Sequence, residues 1–278
     1  MEFKSVHEGI HALAILPNGD LVTGGLDMTI RIRDANDGKI KKTLTGHTDS
    51  IAELEVLDES CLISASYDKT IKIWDINEGV AVRTLIGHTD CVMTLKMLLN
   101  GDLASASSDE TIKIWDINNG AVKKTLEGHT DEVCSLALLN NGDLASASAD
   151  STIRTWDIGT GMVKRTLIGH TDSVFVLTLL ESGDLVSGSH DNTIKIWNIE
   201  DGSVKRTLTG HTGYVGSLKV IGNGDLISGS ADRTIKIWDV ETGTVKKDIS
   251  TISIVNSFEK LQNGDLVGAS YVKITIWE

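Results

Sequence analysis

Proline is almost absent from this chain of 278 residues: only Pro17 occurs. Without proline-rich or low-complexity stretches there is no evident linker along which the chain would divide into separate domains. Cysteine is equally sparse. Cys61, Cys91 and Cys134 form an odd set without metal-ligand spacing, so neither a disulfide framework nor a cysteine-held metal is expected. No Asn-x-Ser/Thr acceptor is present, and the expected compartment is therefore a reducing one, cytoplasmic or nuclear. The first residues lack the basic segment and apolar run of a secretory signal, and no stretch reaches the roughly eighteen apolar residues of a membrane helix. A soluble chain is expected. Positive charge is also short, with 26 Lys and Arg against 39 Asp and Glu and a net charge of −13. That balance argues against nucleic acid or an anionic membrane as partner.

What fills the chain is repetition. Residues 128–157, from Gly128-His129 to Trp156-Asp157, recur so regularly that Trp74, Trp115, Trp156, Trp197 and Trp238 stand 41 residues apart. Each unit holds four segments of strand composition separated by turn residues. In the fourth copy these are Val133–Leu139 (strand a), Asp143–Ala149 (b), Thr152–Asp157 (c), and an outer strand d, represented by Ala121–Leu126 of the unit before. Asn140-Asn141-Gly142-Asp143 reads as the a–b hairpin turn, because Asn-Gly readily supplies positive φ. Strands a and b are apolar or small on both faces, which suits a sheet buried between two neighbours. The lysines and arginines of strand d, as in Lys123-Lys124, read as protection of an exposed edge against strand pairing.

A period in the forties marked by Gly-His and Trp-Asp resembles the WD40-repeat family and implies a β-propeller. The leucine opening strand b appears at Leu21, Leu62, Leu103, Leu144, Leu185, Leu226 and Leu266, which predicts seven blades in one all-β domain. Their expected bounds are about 10–45, 51–86, 92–127, 133–168, 174–209, 215–250, and 252–278 joined by 1–5. Strand d occurs internally only six times. Phe3 stands in register with Leu44, Leu85, Leu126, Leu167, Leu208 and Ile249, so residues 1–5 are expected to supply the last blade's outer strand and close the ring.

Five units contain His, Ser, Asp and Trp at fixed offsets: His47, Ser64, Asp68, Trp74; His88, Ser105, Asp109, Trp115; His129, Ser146, Asp150, Trp156; His170, Ser187, Asp191, Trp197; and His211, Ser228, Asp232, Trp238. The residue types suggest a nucleophilic triad, but an active site is needed once, not five times. The family resemblance implies a buried hydrogen-bonded network in each blade. The end blades depart from it. Blade one has Val6 for His and Arg33 for Trp, keeping Thr23 and Asp27; blade seven has Thr251 for His and Gly268 for Ser, keeping Trp277. The seam between them is expected to be the least stable part of the ring.

The units disagree at a few offsets that, in WD40 proteins, lie on the top face around the channel. Four of the six Phe and Tyr residues fall there: Tyr67, Phe175, Tyr214 and Tyr271. Exposed aromatic side chains give large contact area at small entropic cost. With them come His11, Met93, Glu132 and His190. Phe175, His190 and Tyr214, from blades five and six, are expected to line one sector of the mouth, with Tyr67 and Met93 forming a smaller group across the ring. His7, His11 and His190 have no neighbour at metal-ligand spacing and read as surface histidines.

The resulting expectation is a noncatalytic, monomeric scaffold, without cofactor or metal, that holds a protein or peptide, favoured if it carries Lys or Arg. Three alternatives stand beside it: a substrate-receptor or sensor domain of a longer protein, an idealised ring without a ligand, and, last, an enzyme. Asn263–Ser270 resembles the last blade of the ubiquitin-binding propellers of the phospholipase-A2-activating-protein family, which makes ubiquitin a further candidate ligand.

Overall fold

The computed structural model is all-β, with 28 strands in seven four-stranded antiparallel sheets and no helix among the described residues, 2–4, 9–222, 224–261 and 263–277. Strand a of each blade packs beside strand a of the next, and that of blade one beside that of blade seven, so the sheets come full circle around a channel. In blade four the strands are Val133–Leu138, Leu144–Ser148, Thr152–Trp156 and Val163–Ile168. The a–b turn closes through Leu139 N donating to the Asp143 carbonyl at 2.8 Å and Gly142 N donating to Leu139 O at 2.9 Å. Gly142 has φ 86°, and Asn141 is not in the left-handed region. The Asn141 side chain instead bridges to Asp143.

Burial follows the radial position of each strand. Strand b of blade four is buried throughout, whereas strand d is mostly exposed. Apolar side chains on both faces of the inner strands are what allow each sheet to be sandwiched between two others. Trp156, 1% exposed, packs against Ile112, Ile114 and Leu126 of blade three, so the core is a series of layers between blades.

The outer strands do more than guard an edge. Lys41, Lys123, Lys164, Lys205 and Lys246 each pair with the a–b turn aspartate of their own blade, Asp20, Asp102, Asp143, Asp184 and Asp225, at 2.6–2.7 Å. The next residue along reaches the following blade. Lys42, Lys124, Arg165 and Arg206 donate to backbone carbonyls of its c–d turn, among them Ile76 O, Ile158 O, Glu200 O and Glu241 O.

At the seam, Glu2–Lys4 lies antiparallel to Lys273–Trp277 with Phe3 opposite Ile274. Asn256 adds a stitch by donating from Nδ2 to the Ile10 carbonyl at 2.9 Å. Arg33 is buried in the tryptophan position and donates from Nε to Thr23 Oγ1 at 3.4 Å, so blade one keeps the polar link with a different donor. In blade seven a Cβ on Gly268 would lie 2.7 Å from the Trp277 ring. The indole occupies the space that a serine side chain would need. Val6 and His7 lie outside the described residues.

Candidate binding site at the channel mouth

The five repeated networks have the same geometry. His47 lies 2.7 Å from Asp68 through Nδ1 and 2.7 Å from Ser64 Oγ through Nε2, and Trp74 Nε1 donates to Ser64 Oγ at 2.8 Å. One direction of donation satisfies every group: indole N–H to serine, serine O–H to histidine Nε2, histidine Nδ1–H to carboxylate. The networks at His88, His129, His170 and His211 repeat these distances within 0.1 Å. Burial alone would raise the Asp68, Asp109, Asp150 and Asp232 carboxyls. Hydrogen bonds from the paired histidine, the turn threonine and backbone amides outweigh it and hold them well below the usual carboxylate range. Asp191 is held at about 2 by the same balance. Burial also lowers the pKa of His170 and His211, against the pull of Asp191 and Asp232.

Ser64, Ser105, Ser146, Ser187 and Ser228 are all 0% exposed. No substrate reaches their oxygens, and the constellation is a brace between the b–c turn, the d–a loop and strand c. Sequence reading missed a second brace. Two residues on, Ser66, Ser107, Ser148, Ser189 and Ser230 donate to the d–a loop carbonyls of Asp49, Asp90, Asp131, Asp172 and Gly213 at 2.9–3.1 Å. The unvarying Ser-x-Ser spacing was the available signal.

These braces hold the top loops in place, and the variable residues stand on them. Phe175 is the second residue of strand a of blade five, His190 follows the end of its strand b, and Tyr214 precedes strand a of blade six. Their rings meet, with centroids 5.1 Å apart for Phe175–His190, 5.7 Å for Phe175–Tyr214 and 5.0 Å for His190–Tyr214. The three form a closed platform, since separations this short leave no room for a ligand between the rings. His190 is exposed, and its Nδ1 lies 3.8 Å from Asp172.

A second aromatic group occupies blades seven, one and two. The His11 ring lies 5.2 Å from Tyr271 and 6.3 Å from Tyr67. Tyr67 therefore has its aromatic neighbour, His11, on blade one, while Met93 lines the channel on blade three. His11 is not the surface histidine expected from sequence. It is half-buried, its Nε2 is sealed from solvent without a hydrogen-bond partner among the described residues, and burial lowers its pKa. Burial raises the Tyr271 phenol, with a smaller contribution from Tyr214, and blades six and seven, which carry these two tyrosines, are neighbours in the ring. The aromatic surface thus runs as an arc from blade five through the seam to blade two.

The rim around this arc is acidic. Asp49, Asp90, Asp131, Asp172 and Glu132 are exposed on the d–a loops. Cys134 is unsuited to nucleophilic work, because burial, reinforced by Glu132, pushes its thiol up to about 12. Among the described residues no group of three or more His, Cys, Asp or Glu side chains is placed to hold a metal ion.

No curated protein sequence matches the chain. Among solved structures it is similar to the crystal structure of the WD40 β-propeller domain of Doa1, with 26% identity, a TM-score of 0.87, and coverage of 99% of this chain and 94% of that one. The family model described as WD domain, G-beta repeat, matches residues 3–34, 38–75, 79–116, 120–157, 161–198 and 202–239. Each of the five complete matches runs from an outer strand d to the c strand of the next blade, in step with the repeat read from the tryptophans. With most of its length accounted for by these repeats and seven blades in its fold, the chain belongs to the WD40 family.

Proposed function

We propose that this propeller is a noncatalytic interaction module, working as a monomeric ring in the cytoplasm or nucleus, that holds a peptide or protein loop across its channel mouth. Propellers of the family typically serve as protein-interaction scaffolds. The observation that carries the reading here is the aromatic arc: Phe175, His190 and Tyr214 in mutual contact, continued by Tyr271, His11 and Tyr67. Braced loops present these rings at fixed positions, so a ligand meets a surface already organised for contact. The acidic rim and the net charge of −13 favour a segment bearing Lys or Arg.

The test compares proteins recovered by the intact ring with those recovered by F175A/Y214A. Removing two aromatic anchors is expected to weaken binding by about 2 kcal/mol or more while leaving thermal stability almost unchanged. If the double variant keeps every partner of the parent, or if the partners follow mutations of the lysine-rich outer strands, the mouth is not the binding surface. Ubiquitin, the ligand implied by the resemblance in Asn263–Ser270, belongs in the same comparison as a purified probe.

A further inference from the structure

Below the aromatic mouth the channel wall becomes charged. Strand a contributes Glu53 and Glu55 from blade two, Lys96 from blade three, Lys219 from blade six and Glu259 from blade seven, around an open volume of about 520 Å3. Lys219 pairs with Glu259 at 2.8 Å, and Lys96 stands 3.6 Å from Glu55. Glu53 has no ion-pair partner among the described residues. Burial, then repulsion from Glu55, pushes its carboxyl up to about 7, with Lys96 and the Leu54 amide pulling the other way and Glu259 adding a smaller repulsion.

The corresponding positions in the other blades hold Ala12, Thr94, Ser135, Val176, Ser217 and Ser257. Ser135 Oγ accepts from Leu177 N at 3.1 Å and Ser217 Oγ donates to Val255 O at 2.7 Å, so small hydroxyl residues satisfy this place in the ring without charge. A carboxylate without a cation is costly in such an enclosed wall. Its surroundings compensate only in part: His11 at the mouth has a lowered pKa, Lys219 is paired with Glu259, and Lys96 acts on Glu53 while its ion pair is with Glu55.

We propose that Glu53 receives a basic side chain, Lys or Arg, which a bound segment lowers into the channel from the aromatic mouth. The route of entry rests on the mouth being the binding surface. Glu53 follows Ala52, which is level with Met93, Cys134 and Phe175 at the top of strand a. One residue of strand is only ~3.4 Å, within reach of a long basic side chain whose backbone rests on the rings. The aromatic faces attract the cation as it enters, and the carboxylate pairs with it inside.

The test titrates the full chain with the peptide amide acetyl-Gly-Arg-Gly and with the same peptide carrying citrulline for arginine, followed by the side-chain carboxyl resonance of Glu53. The arginine peptide is expected to bind at least tenfold more tightly at pH 8, and its affinity to fall about tenfold by pH 6 as Glu53 gains its proton. In E53Q, shown to be folded by its unfolding curve, the preference for arginine disappears. Equal affinity for the two peptides, failure of both to bind, or an arginine preference that survives E53Q overturns the proposal. F175A/Y214A separates the two ideas: it weakens both peptides if the mouth binds backbone and rings. If it binds as the parent does while E53Q loses the preference, the mouth reading fails and the channel acceptor stands.

Discussion

Replacing Glu53 by Gln is expected to stabilise the protein, and to do so more at high pH than at low. The unfolded chain ionises this carboxyl near 4.5, the folded chain at about 7. The folded state therefore binds the proton more tightly. Its contribution to stability is fully present below the unfolded value and is lost as pH climbs through about 7. A rise of that size corresponds to about 3 kcal/mol, an upper bound because the carboxyl keeps part of its surface against channel water. Gln is nearly the same shape and carries no charge, so E53Q should be more stable than the parent by up to about 3 kcal/mol at pH 8 and by under about 1 kcal/mol at pH 5. The assay is equilibrium urea unfolding of both proteins at several pH values, followed by fluorescence of the five buried tryptophans. Comparing the two proteins at each pH cancels the titration of every other group. A stability difference that stays flat between pH 5 and pH 8, or that favours the parent at pH 8, would refute the reasoning.

The braces, the seam and the last blade each give a further expectation. H129A removes bonds to Asp150 and Ser146, both at 2.7 Å, and should cost about 2–4 kcal/mol in urea unfolding; a loss below about 1 kcal/mol would show that the network does little for stability. Because the brace carboxyls are held below their ordinary range, the stability they add is complete above the unfolded value of 3.8 and is lost as pH falls toward 2. Acid unfolding monitored by tryptophan fluorescence should accordingly set in below pH 4. Deleting residues 1–5 removes the strand paired with Lys273–Trp277 and should lower stability by about 3 kcal/mol, with faster hydrogen exchange confined first to that strand. Unchanged exchange would mean that the pairing does not hold the ring shut. G268S restores the serine found in five of the other units, yet it should destabilise by about 1–3 kcal/mol because the Trp277 ring fills that space; a gain in melting temperature would contradict the packing.

The repeat, the blade count and the His-Ser-Asp-Trp braces were legible in the sequence because each depends on chemistry carried within one unit. Gly142 in its turn and Trp156 above Ser146 have the same surroundings in copy after copy, so spacing alone reveals them. That Phe175, His190 and Tyr214 fall in one sector was readable for the same reason: departures from a repeat stand out against it. What only the tertiary structure decided involves contacts between units. His11, beside Tyr67 of the next blade, also meets Tyr271 because the ring returns on itself, bringing residues from both ends of the chain together. His11 was misread as a surface side chain since its burial comes from those neighbours and not from its own strand. Arg33 and Gly268 looked like simple losses of pattern until the space around them showed a substitute donor and a displaced indole. Glu53 drew no notice in a chain rich in acid. Its significance lies in which lysines the other carboxylates of the channel have already taken, a matter of distances across the ring that no linear spacing records.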